Sequence, residues 1–205
     1  KQVEAKVLLY ENDQSVESGY ARIIFEHKMF LVYGEPFVIC VSGRTIGGGR
    51  ILNPIQDPMK KKVKMELLKA LNHKEYVQVF KILVDAHKKG FGLISSNQRF
   101  GLNHEEAIEI AKIIDDIFID EKYLVLYPKS IKEELKKIVL SIYNKNQYAL
   151  LSANSLSLKI KWASEGLLDE VLEDICKSGK LILENGIYKN ANIQIDNLDS
   201  LIEEK

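Results

Sequence analysis

The chain has 205 residues, room for one or two ordinary domains. Hydrophobic residues at 46% and charged residues at 28% exclude a disordered chain, and no run of about eighteen apolar residues exists that could cross a membrane as a helix. Twenty-nine basic residues cancel twenty-nine acidic ones, so net charge gives no support to a dedicated nucleic-acid binder and the distribution of charge has to decide.

The first stretch reads as strands. Val3, Ala5, Val7 and Leu9 alternate with Glu4, Lys6 and Leu8, the period of two expected of a half-buried strand. Residues 1–6 do not form a signal peptide, and a chain that opens directly in a strand pattern is expected to continue a longer one. A polar loop is predicted over 11–19. Short β-rich runs follow at 20–25, 29–33, 37–41 and 50–52, punctuated by Gly34-Glu35-Pro36 and Ser42-Gly43. Short strands with close turns predict an antiparallel barrel or sandwich. Pro54 and Pro58 then break helix and ladder alike, which predicts a domain boundary.

Helical spacing takes over at 60–73 and 75–89, stopped by Gly90 and Gly92. The spacing next predicts an edge strand over 91–95 and a short helix over 96–101. A helix over 105–115 follows, capped by Asn103 with Glu106 at the capping-box position, and then a hairpin over 117–127 around Asp120-Glu121-Lys122. A second unit has a helix over 131–144, a strand over 148–151 and helices over 154–164 and 167–177. It closes with a hairpin pairing 181–183 with 187–189 around Glu184-Asn185-Gly186, where Asn-Gly is the strongest short hairpin signal. Helix, strand, helix, helix, hairpin, met twice, is the order of the winged helix-turn-helix. The predicted fold is therefore mixed α and β: part of an antiparallel β-barrel over 1–56, winged helices over 57–128 and 129–195, and a tail over 196–205.

Few residues suggest chemistry. Cys40 and Cys176 have neither metal nor redox spacing and are read as small buried hydrophobes in a reducing, cytoplasmic compartment. His27, His73, His87 and His104 form no H-x-x-x-H pair, so no metal site is expected. No G-x-x-x-x-G-K-[ST] loop occurs, so neither a nucleotide cofactor nor enzymatic activity is expected of these residues.

The most specific segment runs over 37–54. Its three consecutive glycines between β-branched residues are costly as plain strand, and suit a bulge, a tight barrel corner or a backbone that another molecule approaches closely. Phe37 followed by Gly43-Arg44-Thr45-Ile46-Gly47-Gly48-Gly49 is very similar to the last hairpin of the third domain of elongation factor Tu relatives. Its continuation, Arg50-Ile51-Leu52-Asn53-Pro54, resembles the selenocysteine-specific elongation factors (the SelB family) more closely than factor Tu itself. Across the whole chain the resemblance implies part of a factor-Tu-like barrel followed by two tandem winged helices. It implies that Ser42, Gly43, Arg44 and Thr45 approach a tRNA backbone, with Gly47, Gly48 and Gly49 as the adjoining bulge. Arg44 supplies planar donors, Thr45 a hydroxyl, and the glycines open backbone N–H groups; a barrel-internal ion pair is the other reading of Arg44.

What the resemblance implies for partners is selenocysteinyl-tRNA, the ribosome and, through further winged helices downstream, an mRNA hairpin; GTP and magnesium would belong to an upstream domain. The chain departs from the pattern at Gly34-Glu35-Pro36-Phe37, where the family usually has Gly-Asp-Arg-Phe, and at Cys40, where an arginine often precedes the loop.

Charge placement argues against reading duplex DNA. The helix over 105–115 and its exit hold Glu105, Glu106, Glu109, Asp115 and Asp116 against Lys112, and the helix over 167–177 holds Asp169, Glu170, Glu173 and Asp174 against Lys177. Lys60, Lys61, Lys62 and Lys64 are weaker candidates for phosphate contact; Lys129, Lys132, Lys136 and Lys137, interleaved with glutamates, read as a solvated face. Phe80, Phe100, Tyr143 and Trp162 sit at helical spacing among apolar neighbours and read as core. Two other functions stay open at this point: a tandem winged-helix transcriptional regulator, which would need a basic recognition helix, and a protein-interaction scaffold.

Overall fold

In the computed structural model, which describes residues 2–10 and 17–193, the alternating N-terminal stretch forms β1 (Ala5–Leu9), paired antiparallel with β2 (Ala21–Phe25) so that Ala5 faces Phe25 and Leu9 faces Ala21. A second ladder joins β3 (Pro36–Val41) to β4 (Arg44–Arg50). The ladder extends beyond Arg50, because Gly34 N–H donates to the Ile51 carbonyl at 2.7 Å and Ile51 N–H to that of Glu35 at 2.9 Å. The predicted run at 50–52 is thus the end of this longer pairing.

No closed barrel is seen among the described residues; each of these two sheets has only two strands. The expected strand over 29–33 is not a strand. Its polar groups are spent on the helices instead: Tyr33 N–H donates to the Gln98 carbonyl at 2.8 Å, Gln98 Nε2 donates to the Leu31 carbonyl at 2.8 Å, and Tyr33 O–H donates to the Leu71 carbonyl at 2.7 Å. Groups committed in this way cannot also join a ladder.

After the prolines come α1 (Lys61–Asn72) and α2 (Tyr76–Ala86), then β5 (Phe91–Gly92), α3 (Ser96–Phe100) and α4 (His104–Lys112). The hairpin β6 (Ile117–Asp120) and β7 (Val125–Pro128) follows, and the three strands form one sheet in the order β5-β7-β6. Leu67, Leu71, Phe80, Leu83, Phe91, Phe100 and Leu126 fill a first core, each such burial contributing about 1.5–3 kcal/mol. Phe80 and Phe100 lie 5.3 Å apart by ring centroids and Phe80 and Phe91 6.4 Å, the tilted geometry aromatic rings prefer. The capping box on α4 is present in full: Asn103 Oδ1 accepts from Glu106 N–H and Glu106 Oε2 accepts from Asn103 N–H, both at 2.8 Å.

A second core collects residues from α5 (Ile131–Lys145), α6 (Ala153–Ser157), α7 (Glu165–Lys177), β8 (Leu181–Glu184) and β9 (Ile187–Asn190), among them Leu135, Val139, Tyr143, Leu156, Leu168, Leu172 and Tyr188. The strand expected over 148–151 reduces to one bridge, in which Leu151 and Tyr188 exchange both backbone hydrogen bonds. The helix expected over 154–164 is the shorter α6. Tyr127 of β7 reaches into this second core, where its hydroxyl donates to the Trp162 carbonyl at 3.1 Å and accepts from Ser164 N–H at 3.0 Å. Phe80, Phe100 and Tyr143 are buried and Trp162 packs at the core's edge. The tail over 196–205 and most of the loop over 11–19 lie outside the described residues.

Candidate nucleic-acid interface

The turn between β3 and β4 has two residues, Ser42 and Gly43, both with positive φ (49° and 77°), which is what a type I′ hairpin turn requires. Arg44 and Thr45 follow at once on the outgoing strand. Pairing slips between Ile39 and Cys40: Ile39 faces Gly47 and Cys40 faces Thr45. Ile46 is therefore the extra residue, and the bulge expected at Gly47, Gly48 and Gly49 sits just ahead of them, while the glycines themselves are paired with β3.

The three glycines have different reasons to be there. A Cβ on Gly48 would come within 2.5 Å of the Phe37 carbonyl oxygen, and one on Gly49 within 2.9 Å of the Phe37 ring. Phe37 thus accounts for both. A Cβ on Gly47 would meet nothing within 4 Å, so packing in this chain does not demand a glycine there. Ser42, Gly43, Arg44, Thr45, Gly47, Gly48 and Gly49 are all exposed. Among the described residues Arg44 makes no ion pair, in contrast to the barrel-internal reading. Cys40, expected to be buried, is exposed beside Thr45 (Sγ to Oγ1 3.8 Å), because no second layer covers this sheet; Cys176 is half-buried against the second core.

The lysine candidates divide. Lys61 and Lys62 line one shallow concavity on the outward face of α1 together with Met65, Glu66 and Lys69, and Lys60 precedes them at the N-cap without a side-chain cap. Lys64 turns the other way. Its Nζ lies 3.7 Å from Asp57 Oδ2 with 13% of the side chain exposed, and burial, with Arg99 nearby, holds its pKa below the ordinary lysine value against the pull of Asp57. Lys64 therefore leaves the group of phosphate-contact candidates. On α5, Lys136 pairs with Glu133 at 2.9 Å and Asp174 at 3.1 Å, and Lys132 pairs with Glu170, so that cluster binds α7 rather than standing free as a solvated face.

The residues that sequence reading missed centre on Asp57, whose side chain is fully buried. Its Oδ1 accepts from Arg99 Nη2 at 2.6 Å and lies 2.9 Å from His87 Nε2; since a carboxylate only accepts, that nitrogen carries the proton. Its Oδ2 accepts from Asn53 Nδ2 at 3.1 Å. Burial alone would raise the Asp57 pKa, but Arg99, His87 and Asn53 together hold it below the ordinary carboxylate value. The Arg99 guanidinium also lies over the Phe91 ring at 5.0 Å and the Phe100 ring at 5.5 Å. The segment after the second hairpin is thereby fastened to α2 and α3. The only sequence signal was an aspartate beside a proline.

No family model matches the chain, and no curated protein matches it. Among solved structures, one described as the crystal structure of bacterial selenocysteine-specific elongation factor EF-Sec superposes on 98% of this chain with a TM-score of 0.57 at 16% identity. The chain spans 31% of the length of that protein. The likeness is one of fold: a mixed α and β arrangement with small antiparallel sheets and seven helices among the described residues, similar to part of a translation factor.

Proposed function

We propose that the chain serves translation as part of a GTP-dependent, selenocysteine-specific elongation factor, holding selenocysteinyl-tRNA with its β3–β4 hairpin. In this reading β1 to β4 belong to a factor-Tu-like barrel over 1–56. The helical units over 57–128 and 129–195 are winged helices that carry the tRNA-bound body toward an mRNA-hairpin reader and the ribosome. GTP and magnesium belong to another part of the protein, since the 205 residues have no phosphate-binding loop, and no step here runs through them.

The observation that carries the reading is the hairpin itself: an exposed positive-φ tip, an arginine with no carboxylate partner among the described residues, and a Gly47 whose missing Cβ leaves open space. A phosphodiester chain needs such a surface. Planar guanidinium donors and unobstructed N–H groups can reach its oxygens, and sequence is not read. The fold likeness to EF-Sec supports the same assignment. The acidic faces of α4 and α7 would repel a major groove, which disfavours duplex DNA.

Salt-dependent binding of this chain to tRNA tests the proposal. Arg44→Ala should weaken binding roughly tenfold or more, the worth of one charge-assisted hydrogen bond, and flatten the salt slope by about 1. Selective binding of duplex DNA in place of tRNA would reject it.

A further inference from the structure

We propose a second RNA surface: the outward face of α1 takes the phosphate backbone of a helical RNA segment through Lys61, Lys62 and Lys69. The inference rests on the reading of the chain as an RNA-handling translation protein, and concerns a face remote in sequence from the hairpin tip.

The net charge of the chain is zero, so what matters is where charge is left uncancelled. Lys132, Lys136, Lys112, Lys177, Lys189 and Lys64 each have a carboxylate partner. Among the described residues, Lys60, Lys61, Lys62 and Lys69 have none, although all four stand on or beside one helix of twelve residues. The helix spacing brings Lys61, Met65 and Lys69 into one row with Lys62 and Glu66 beside it, and these five line a single shallow concavity. A rise of about 1.5 Å per residue spreads the row over about 12 Å, enough to track successive phosphates. Glu66 is the one acidic group in the concavity.

The chemistry of the face selects its occupant. Lysine ammonium groups are point charges on flexible stems, suited to phosphates and without the fork that reads base edges. No aromatic side chain lines the concavity, so there is no platform on which single-stranded bases would stack. A duplex backbone remains, and the acidic α4 and α7 faces leave RNA rather than major-groove DNA as the helix that fits.

The test uses the full chain, a short RNA hairpin, a DNA duplex of the same length and an unpaired RNA, with affinity followed against salt. The triple variant Lys61→Glu, Lys62→Glu, Lys69→Glu should lose RNA-hairpin binding and reduce the slope of log affinity against log salt by roughly 2 to 3, at about 0.9 per phosphate released. The triple lysine-to-arginine variant should keep both. Lys137→Glu, Lys145→Glu, Lys159→Glu, with the same change in net charge, should leave affinity within about twofold, because those charges are not expected at the contact. An equal loss in that control, equal or tighter binding of the DNA duplex or unpaired RNA, or a self-association of the chain that the first variant abolishes would each overturn the proposal. Arg44→Ala separates it from the hairpin reading. Loss of tRNA binding in Arg44→Ala with an indifferent α1 variant sinks this inference alone, and the reverse pattern sinks the hairpin reading alone.

Discussion

The β hairpins and the helical units differ in one physical respect. No residue of β1 to β4 is buried, and Phe30, Val38, Val41 and Ile46 of this region are more than half exposed. The helices and their hairpins bury two continuous apolar cores. Asp57, the first buried residue met along the described chain, is charged. Two-stranded hairpins without a covered face are marginal in water. The helical units thus hold their own shape, whereas the β region is a surface that another layer or a ligand must complete. This difference explains why RNA contact is placed on β3–β4: the exposed hairpin can accept a partner without exposing a core.

The comparison can be broken hardest at Asp57. Asp57→Ala leaves Arg99 buried without its carboxylate, and removal of one partner from a buried pair costs about 3–5 kcal/mol. The helical signal in urea unfolding should report the loss. A midpoint unchanged from the parent would show that the joint holds nothing. The same group sets an acid limit. Because its pKa is lowered in the folded chain, its stabilisation is complete above the ordinary carboxylate value of about 3.9 and is lost as pH falls through the lower folded value. Asp57→Asn should flatten that part of the pH–stability curve.

Smaller effects sharpen the contrast within the β region. Gly48→Ala drives a methyl against the Phe37 carbonyl, an overpacking of about 1–3 kcal/mol that amide hydrogen exchange in β3 and β4 should reveal while the helical amides stay protected. Tyr33→Phe removes the hydrogen bond to the Leu71 carbonyl and should cost about 0.5–1.5 kcal/mol, this time in the helical unfolding transition, since Tyr33 packs against the first core.

What the sequence made legible follows the same division. The helices of both units carry local signals: apolar spacing, the Asn103–Glu106 box, Ser164 as a cap, and the Asn185-Gly186 turn with positive φ at both residues. Each depends on residues within a turn of one another. The features that escaped depend on distant partners. Leu31 and Tyr33 resemble a strand until Gln98, 67 residues from Leu31, takes their hydrogen bonds. Asp57 finds its charge partner 42 residues away in Arg99. Lys64 looks like its neighbours Lys60, Lys61 and Lys62 until Asp57 draws it inward. Cys40 has the composition of a core residue and lacks only the layer that would cover it. At the candidate site the glycine run was legible as a motif, but its division into two packing glycines and one open one required Phe37 to be placed.

The smallest expected change bears most directly on function. Gly47 lies in a paired strand with a φ that ordinary residues adopt, and a methyl there meets open space. Gly47→Ala should therefore be neutral in the free chain or stabilise it by about 0.4–1 kcal/mol, by restricting the unfolded chain. If the backbone at this point lies against a phosphodiester, the same methyl stands between them, and tRNA affinity should fall while hydrogen exchange in β4 slows or stays constant. Stability and affinity then move in opposite directions, which a purely structural glycine cannot do. A variant that folds as well as the parent and binds tRNA equally would leave Gly47 without a role at the interface and confine any contact to the tip at Ser42, Gly43, Arg44 and Thr45.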